Sequence, residues 1–169
     1  FGLIGMAILI WLGTWQIQRL DWKRGILTEI ETKIAGAPQE LPQAPTQEAN
    51  LYLPVALNGT ILPNELFVLV SLKHVGAGYR VIAPFQTDDG RTLLLDRGFI
   101  PVDQKNTPRL TGPSQITGNL HWPDDRTSST PENDVAANIW FARDIQQMAQ
   151  VLGAEPTLVI ARSEAPADP

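Results

Sequence analysis

The residue whose surroundings most clearly require a chemical partner is Arg97, in the stretch LLLDRGFIP. Side chains alternate between the two faces of a strand, so Arg97 shares a face with Leu93, Leu95 and Phe99. An unpaired charge among apolar neighbours costs several kcal/mol, and the pattern therefore favours a partner within the protein, either a carboxylate or backbone carbonyls. The alternative is an acidic group from outside, a propionate or a carboxylate of a partner protein. Gly98 marks a bulge or a close backbone approach.

The remaining polar residues form no recognisable catalytic pattern. His74 and His121 lie far apart in unrelated strand contexts, and a lone histidine is more often a surface or edge residue than a ligand. The aspartate pairs at 88–89 and 124–125 stand in turn-like sequence, where aspartate usually hydrogen-bonds its own backbone. The chain has no cysteine, phosphate-binding loop, nucleophile elbow or His-Glu metal motif. We expect a protein that is not an enzyme and that has no identifiable metal ligands.

The composition of the chain further limits the functional class of the protein. The chain has 169 residues, 43% of them hydrophobic, which allows one folded domain with extensions. Its net charge is −5, and its 13 basic residues are scattered rather than clustered. Nucleic-acid binding usually needs a basic stripe or patch, so we expect no nucleic-acid partner.

The N-terminal stretch predicts a membrane helix. Residues 1–18 contain no charged side chain, and as a helix they reach roughly 27 Å, close to the hydrocarbon thickness of a bilayer. Residues 3–12 are apolar on all sides except at Gly5, unlike a core helix. No signal-peptide cleavage site follows, and a helical pattern continues. We expect a transmembrane helix with a juxtamembrane extension over residues 1–34, with part of the apolar run upstream of the first residue.

Three tryptophans, Trp11, Trp15 and Trp22, fall near one face of this helix. Tryptophan favours the membrane interface, so the pattern favours an interfacial belt over a ligand-binding aromatic face. The basic residues that begin at Arg19 would count as cytoplasmic charges, but residues upstream could outweigh them. The distribution of charge alone therefore does not determine on which side of the membrane the rest of the chain lies.

Two stretches read as connectors. Residues 35–50 are rich in Pro, Gln and Ala without an apolar period, which predicts a linker. Residues 163–169 read as a tail, disordered or leading into another linker.

Residues 51–162 predict a β-rich domain. Five or six short strands are punctuated by turn residues, with a hairpin turn at 88–91 and a short helix that stops at Gly153. Pro54 and Pro84 lie within strand patterns, which favours edge positions or bulges there. The fold class expected is α+β: the N-terminal transmembrane helix, then a curved antiparallel sheet or small barrel with one short helix.

Five motifs follow one another along nearly the whole chain: LGTWQIQRLDWK, GYRVIAPF, LLLDRGFIP, ITGNL and NIWFARDIQQMAQVLGAEPTLVI. The residues that make this ordered set specific are Trp15, Gln16, Arg19, Trp22, Lys23, Arg97, Gly98, Pro101, Trp140, Arg143 and Asp144. In this order the motifs resemble the Surfeit locus protein family, the assembly factors of cytochrome c oxidase.

The resemblance implies a protein of the bacterial inner membrane, or of the mitochondrial inner membrane if eukaryotic. Two transmembrane helices would flank a domain on the periplasmic side, here residues 51–162. The implied partners are oxidase subunit I, other oxidase assembly factors and the lipid bilayer. The second helix, and a histidine-containing segment before it, would follow residues 163–169 outside this chain. The family's candidate haem ligand thus has no counterpart here, and neither His74 nor His121 takes its role.

Two hypotheses follow from the resemblance. In the first, the protein assists haem A insertion into subunit I, binding haem A transiently at the bilayer surface. The residues expected there are Trp15, Gln16, Arg19, Trp22 and Lys23, with the haem propionates on Arg19 or Lys23. In the second, it is a chaperone or scaffold that holds the nascent subunit without binding haem. The residues expected to be structural or partner contacts are Arg97, Gly98, Phe99, Pro101, Trp140, Arg143 and Asp144.

Overall fold

The computed structural model describes residues 2–166, in two compact units that divide between Gly36 and Ala37. Helix α1, Gly2–Ile34, makes up almost all of the first unit. No proline interrupts it, and near its end Lys33 pairs with Glu29 one turn earlier (3.1 Å). The helix predicted over residues 1–34 is therefore confirmed within the described range.

The membrane span predicted for this helix is not supported. Within residues 2–166 no helix is both long enough and apolar enough to cross a bilayer. The uncharged stretch includes Gly, Thr and Gln at residues 13–18, which lower its mean hydropathy, and charges begin at Arg19. Large apolar side chains are nevertheless exposed along much of α1, among them Ile8, Leu9, Trp11 and Trp22.

The second unit is a small β-barrel. Its strands are β1 Pro54–Ile61, β2 Leu66–Leu72, β3 Gly76–Thr87, β4 Thr92–Pro101, β5 Gly112–His121 and β6 Leu158–Ala165. They run in the order β1-β5-β6-β4-β3-β2, and β1 also pairs with β3. That pairing closes five strands into a barrel and leaves β2 outside, on β3. The predicted α+β class and small barrel are confirmed.

One predicted feature of the sheet is wrong: it is not wholly antiparallel. β4 pairs with β6 in parallel over Leu94–Asp96 and Leu158–Ile160. Between these strands the chain runs back along β5 and then through helix α3, Ile145–Leu152. Such a crossover returns the chain in the same direction, as parallel neighbours require.

Two apolar clusters lie on opposite sides of the sheet. The barrel interior is filled by alternate residues of its strands, which include Val55, Phe85, Leu95 and Leu120. The outer cluster packs α3 and Trp140 onto the other face of β2, β3 and β4. Both clusters contain fully buried side chains, so β4 is covered on both faces.

Helix α3 ends where the sequence predicts and begins at Ile145, after Asp144. The Asp144 carboxylate accepts a hydrogen bond from the Gln147 amide (3.1 Å), as an N-terminal cap should. Gly153 ends the helix in the left-handed conformation, at φ 64°. Asp144, expected to be structural or a partner contact, is thus a helix cap.

The two strand prolines lie where no ladder hydrogen bond is lost. Pro54 is the first residue of β1. Pro84 lies on β3 between the end of its β2 pairing at Ile82 and the start of its β1 pairing at Phe85. A missing N–H is tolerated at such positions.

Both predicted connectors are partly folded. Within 35–50, Gln39 pairs with β1 by donating to the Pro54 carbonyl (3.0 Å), and helix α2, Gln47–Asn50, follows. Strand β6 continues through Ala165, because its residues from Ser163 onward pair with β5. Backbone hydrogen bonds form without any periodic pattern of apolar side chains. The side-chain pattern therefore does not predict these two pairings. Residues 167–169 lie outside the described range.

Candidate functional site

A bulge in β4 determines which side chains face which side of the barrel. Asp96 pairs with Ile82 and Phe99 pairs with Arg80, so Arg97 and Gly98 together oppose Val81. Gly98 adopts φ 101°, a conformation that favours glycine. The bulge predicted at Gly98 is confirmed.

The bulge corrects the predicted position of Phe99. Paired residues of neighbouring strands share a face, so Asp96 and Phe99 lie on the same face of the sheet as Arg80 and Ile82. Simple alternation put Phe99 with Arg97 instead. One extra residue in the strand reverses the alternation after it.

Arg97 lies on the interior side and is paired within the protein. Its side chain is only 3% exposed. It donates from Nη1 to Glu65 (3.1 Å) and from Nη2 to Glu164 (2.9 Å), while Arg109 also donates from Nε to Glu65 (2.7 Å). We call these four residues the Arg97 network. The internal partner that the sequence favours is thus present, in the form of two carboxylates.

Asp96, the neighbour of Arg97, holds a second set of charges on the outer face. Its side chain is 0% exposed and accepts hydrogen bonds from Arg80 Nε (2.7 Å) and Arg143 Nη1 (3.4 Å). Its other oxygen accepts from the Gly98 amide (3.0 Å). Arg143 then donates from Nε and Nη2 to Asp125 (2.6 and 3.0 Å). We call Asp96, Arg80, Arg143 and Asp125 the Asp96 network.

Asp125 and Arg143, which form the outer pair of this network, are both charged. Burial alone would raise the pKa of Asp125, but the hydrogen bonds and charge of Arg143 outweigh it and hold that pKa below its usual value. Burial likewise works against the charged form of Arg143, and the same pair raises the pKa of this guanidinium above its usual value. Asp125 is exposed, as expected of the aspartates at 124–125, but its carboxylate is held by Arg143, which the sequence did not predict.

His121 lies at the end of β5 near this network. Its ring stacks on Tyr52 with centroids 5.6 Å apart, and its buried Nδ1 has no hydrogen-bond partner within residues 2–166. Burial lowers its pKa, and the charge of Arg143 adds to that effect. His121 is therefore neutral near pH 7.

Acidification from pH 7 to pH 5 is expected to destabilise the fold through His121. Because the pKa of His121 is lower in the folded state, its stabilising effect is complete above the unfolded value, about 6.5, and is lost as the pH falls below it. Uptake of one proton gives a slope of at most about 1.4 kcal/mol per pH unit. Urea unfolding of His121→Phe, which keeps a ring against Tyr52, should show a flatter profile than the wild type.

The matched control is His74→Asn. His74 is exposed in a turn at φ 72°, which asparagine tolerates, so this variant should keep the wild-type profile. An unchanged slope in His121→Phe would show that other groups cause the acid sensitivity.

The aromatic and basic residues predicted to hold haem lie on α1, and all are exposed. The Arg19 guanidinium lies over the Trp15 ring, 5.2 Å from its centroid. At 3.6 residues per turn, Trp15, Arg19 and Trp22 share one face of the helix. Gln16 and Lys23 lie about a quarter turn around it. No described residue accepts a hydrogen bond from Arg19, so its donors are available.

The other predicted contact residues have structural positions. Trp140 is fully buried, and its Nε1 donates to Asn138 (3.2 Å). Pro101 ends β4 and precedes a short 3-10 turn, Val102–Gln104. Within residues 2–166 no three His, Asp or Glu side chains lie close enough together to hold a metal ion.

Sequence reasoning missed Asp96, Arg80 and Asp125. Asp96 follows three leucines on the same strand as Arg97, so the argument applied to Arg97 would have found it. Nothing in the sequence pairs Asp125 with Arg143, 18 residues away.

Comparison with known proteins supports the family resemblance of the sequence. The sequence profile of the SURF1 family matches residues 3–169. The chain belongs to the SURF1 family. It is 33% identical over 171 residues to Surfeit locus protein 1 of Xenopus tropicalis, covering 88% of this chain and 56% of that protein. It is 32% identical over 193 residues to Surfeit locus protein 1 of Mus musculus, covering 100% and 63%.

A bacterial relative shows a similar match to this SURF1 chain. The SURF1-like protein of Rickettsia bellii is 30% identical over 158 residues, covering 89% of this chain and 64% of that protein. The chain therefore spans less than two thirds of the length of each of these three relatives. Both charge networks and the tryptophan face of α1 lie inside the range that the family profile matches.

Proposed function

We propose that this chain is an assembly factor of cytochrome c oxidase that assists haem A insertion into, or maturation of, subunit I. The observation that carries the proposal is the family match over residues 3–169, together with the order of motifs from Trp15 to Asp144. The protein acts at the inner membrane, with its β-barrel on the periplasmic side, and its partners are subunit I, other oxidase assembly factors and the bilayer. This is a binding role, without catalytic turnover.

In this proposal haem A is a cargo held briefly on α1. The exposed rings of Trp15 and Trp22 offer apolar surface to the macrocycle, and Arg19 between them can pair with a propionate. Gln16 and Lys23 flank this face, and Lys23 offers a second cation to the propionates. The surrounding apolar side chains of α1 are exposed and suit contact with lipid.

Replacing Arg19 with alanine is expected to weaken haem A binding at least about tenfold, because a charge-assisted hydrogen bond contributes about 1.5–3 kcal/mol. The measurement is an absorbance titration of the full chain with haem A in detergent. Arg24→Ala is the matched control. Arg24 is an exposed arginine of the same helix, a little less than half a turn around from Arg19, and its guanidinium lies 3.9 Å from the Asp21 carboxylate.

Complementation then tests the cellular role. In a strain without the gene, reduced-minus-oxidised spectra of membranes should lack the oxidase haem signal, and the wild-type gene should restore it. Equal haem affinity of the Arg19→Ala and Arg24→Ala variants would remove the Trp15–Arg19–Trp22 face from the site. A full oxidase signal in the deletion strain would overturn the assembly role itself.

The second candidate is a scaffold that holds the nascent subunit without haem. The observation that favours it is an open groove beside β2, lined by Arg80, Phe99 and Phe141. In this case subunit I should co-purify with the chain from cells that cannot make haem. Loss of that association without haem would contradict the scaffold role.

A further inference from the structure

Strand β2 is covered along only part of its outer edge. The segment around Trp140 pairs with the first half of β2: the Trp140 amide donates to the Phe67 carbonyl (3.1 Å), and the Leu69 amide donates to the Trp140 carbonyl (2.7 Å). The pairing stops there, because the next amide that could face β2, that of Ala142, donates to the Asn133 side chain instead (3.3 Å). Beyond Leu69 the edge of β2 is left open.

The open edge carries backbone groups that can hydrogen-bond an added strand. Outward-facing groups recur at every second residue of a strand, so the pairing of Phe67 and Leu69 places those of Ser71 on the same edge. Within residues 2–166, no backbone group pairs with the Leu69 carbonyl or with Ser71 on this side. An extended peptide can add to such an edge through its main chain.

This edge borders a groove of about 360 Å³. Its apolar lining includes Val70, Leu72, Phe99 and Phe141. The Phe99 ring lies where a side chain at residue 78 would be, since a Cβ added to Gly78 would come within 2.5 Å of it. The groove therefore offers apolar contacts for side chains of a peptide that pairs with the edge.

Arg80 gives the groove a charged donor. Its Nε donates to Asp96 (2.7 Å), but no described residue accepts a hydrogen bond from its Nη1 or Nη2. Its side chain is 26% exposed and lines the groove. Two terminal nitrogens in one plane match the two oxygens of a carboxylate. Arg143 and Asp125 also line the groove, but they pair with each other, and Arg143 pairs with Asp96 as well.

We propose that this groove binds an extended segment of a partner protein by strand addition to β2, with an acidic side chain of that segment on Arg80. Main-chain hydrogen bonds at Leu69 and Ser71 supply the pairing, and the acidic residue supplies the selectivity. A second copy of this chain fits less well, because it would bring another Arg80 in place of a carboxylate. The inference goes beyond haem handling and does not depend on it.

The test uses the full chain and the blocked pentapeptide TVEVT, labelled with a fluorophore. Fluorescence anisotropy should show saturable binding, and the matched peptide TVQVT should bind about tenfold more weakly, since it lacks the charge. Ser71→Pro removes the outward N–H at an edge position that tolerates proline, and it should weaken TVEVT binding at least tenfold. Ser71→Ala keeps the N–H and should bind like the wild type.

Arg80→Lys keeps a cation beside Asp96 but removes the paired donors, and it should reduce the preference for TVEVT over TVQVT. Circular dichroism confirms that each variant is folded. Absence of binding at millimolar peptide, or equal binding by Ser71→Pro and Ser71→Ala, would overturn the proposal. So would a concentration-dependent dimer that Ser71→Pro abolishes, because the occupant would then be a second copy of the chain. A loss of haem A binding on α1 leaves these outcomes unchanged.

Discussion

Replacing Arg97 with methionine is expected to lower the free energy of unfolding by about 3–5 kcal/mol. Methionine has a similar length, so the change chiefly removes the charge. Glu164, whose side chain is 12% exposed, would lose the cation that it pairs with, while Glu65 would keep Arg109. Without a partner, the desolvation free energy of the Glu164 carboxylate is no longer offset by an ion pair. Urea unfolding followed by circular dichroism measures the effect.

Arg126→Met is the matched control for this prediction. Arg126 pairs with Glu132 at 3.0 Å, as close as the Arg97 pairs, but the two side chains are 35% and 91% exposed. Such a surface pair contributes about 0–1 kcal/mol. The double variant Arg97→Met/Glu164→Gln should recover part of the loss, because the unpaired charge is gone. Equal losses in Arg97→Met and Arg126→Met would contradict the importance of burial.

Asp96→Asn is the second large effect, expected at about 3 kcal/mol. Asparagine keeps the shape and one oxygen for the Gly98 amide, but it leaves Arg80 and Arg143 without their shared anion. We place the loss at the lower end of the range for buried pairs because Arg143 keeps Asp125 and Arg80 is partly solvated. Urea unfolding at pH 7 measures it.

Asp124→Asn provides the comparison. Asp124 is exposed, and no hydrogen bond or ion pair joins it to a described residue, so a change within about 0.5 kcal/mol is expected. If Asp96→Asn cost no more than Asp124→Asn, the charge on Asp96 would not matter to the fold.

The two networks also show how far the sequence could predict this site. The need of Arg97 for an internal partner follows from its leucine neighbours, and the structure supplies that partner. The identity of the partners does not follow, because Glu65 and Glu164 lie 32 and 67 residues away along the chain. Closure of the barrel brings these two glutamates to Arg97, and no local sequence pattern predicts that closure.

The fold was predictable where local chemistry determines it. The hairpin turn at 88–91 is present, with the Gly90 amide donating to the Thr87 carbonyl (2.9 Å), and α3 stops at Gly153. The parallel β4–β6 pair and the pairing of Gln39 with β1 depend on contacts between distant segments. The face of Phe99 depends on the extra residue of the bulge at Gly98, and simple alternation, which ignores that bulge, places Phe99 on the wrong face.

The adjacency of Asp96 and Arg97 has a mechanical consequence. One peptide bond joins an anion fixed on the outside of the barrel to a cation fixed on the inside. Rotation of β4 about its own axis would pull both side chains from their partners at once. Strand β4 therefore ties the apolar layer beneath α3 to the interior of the barrel.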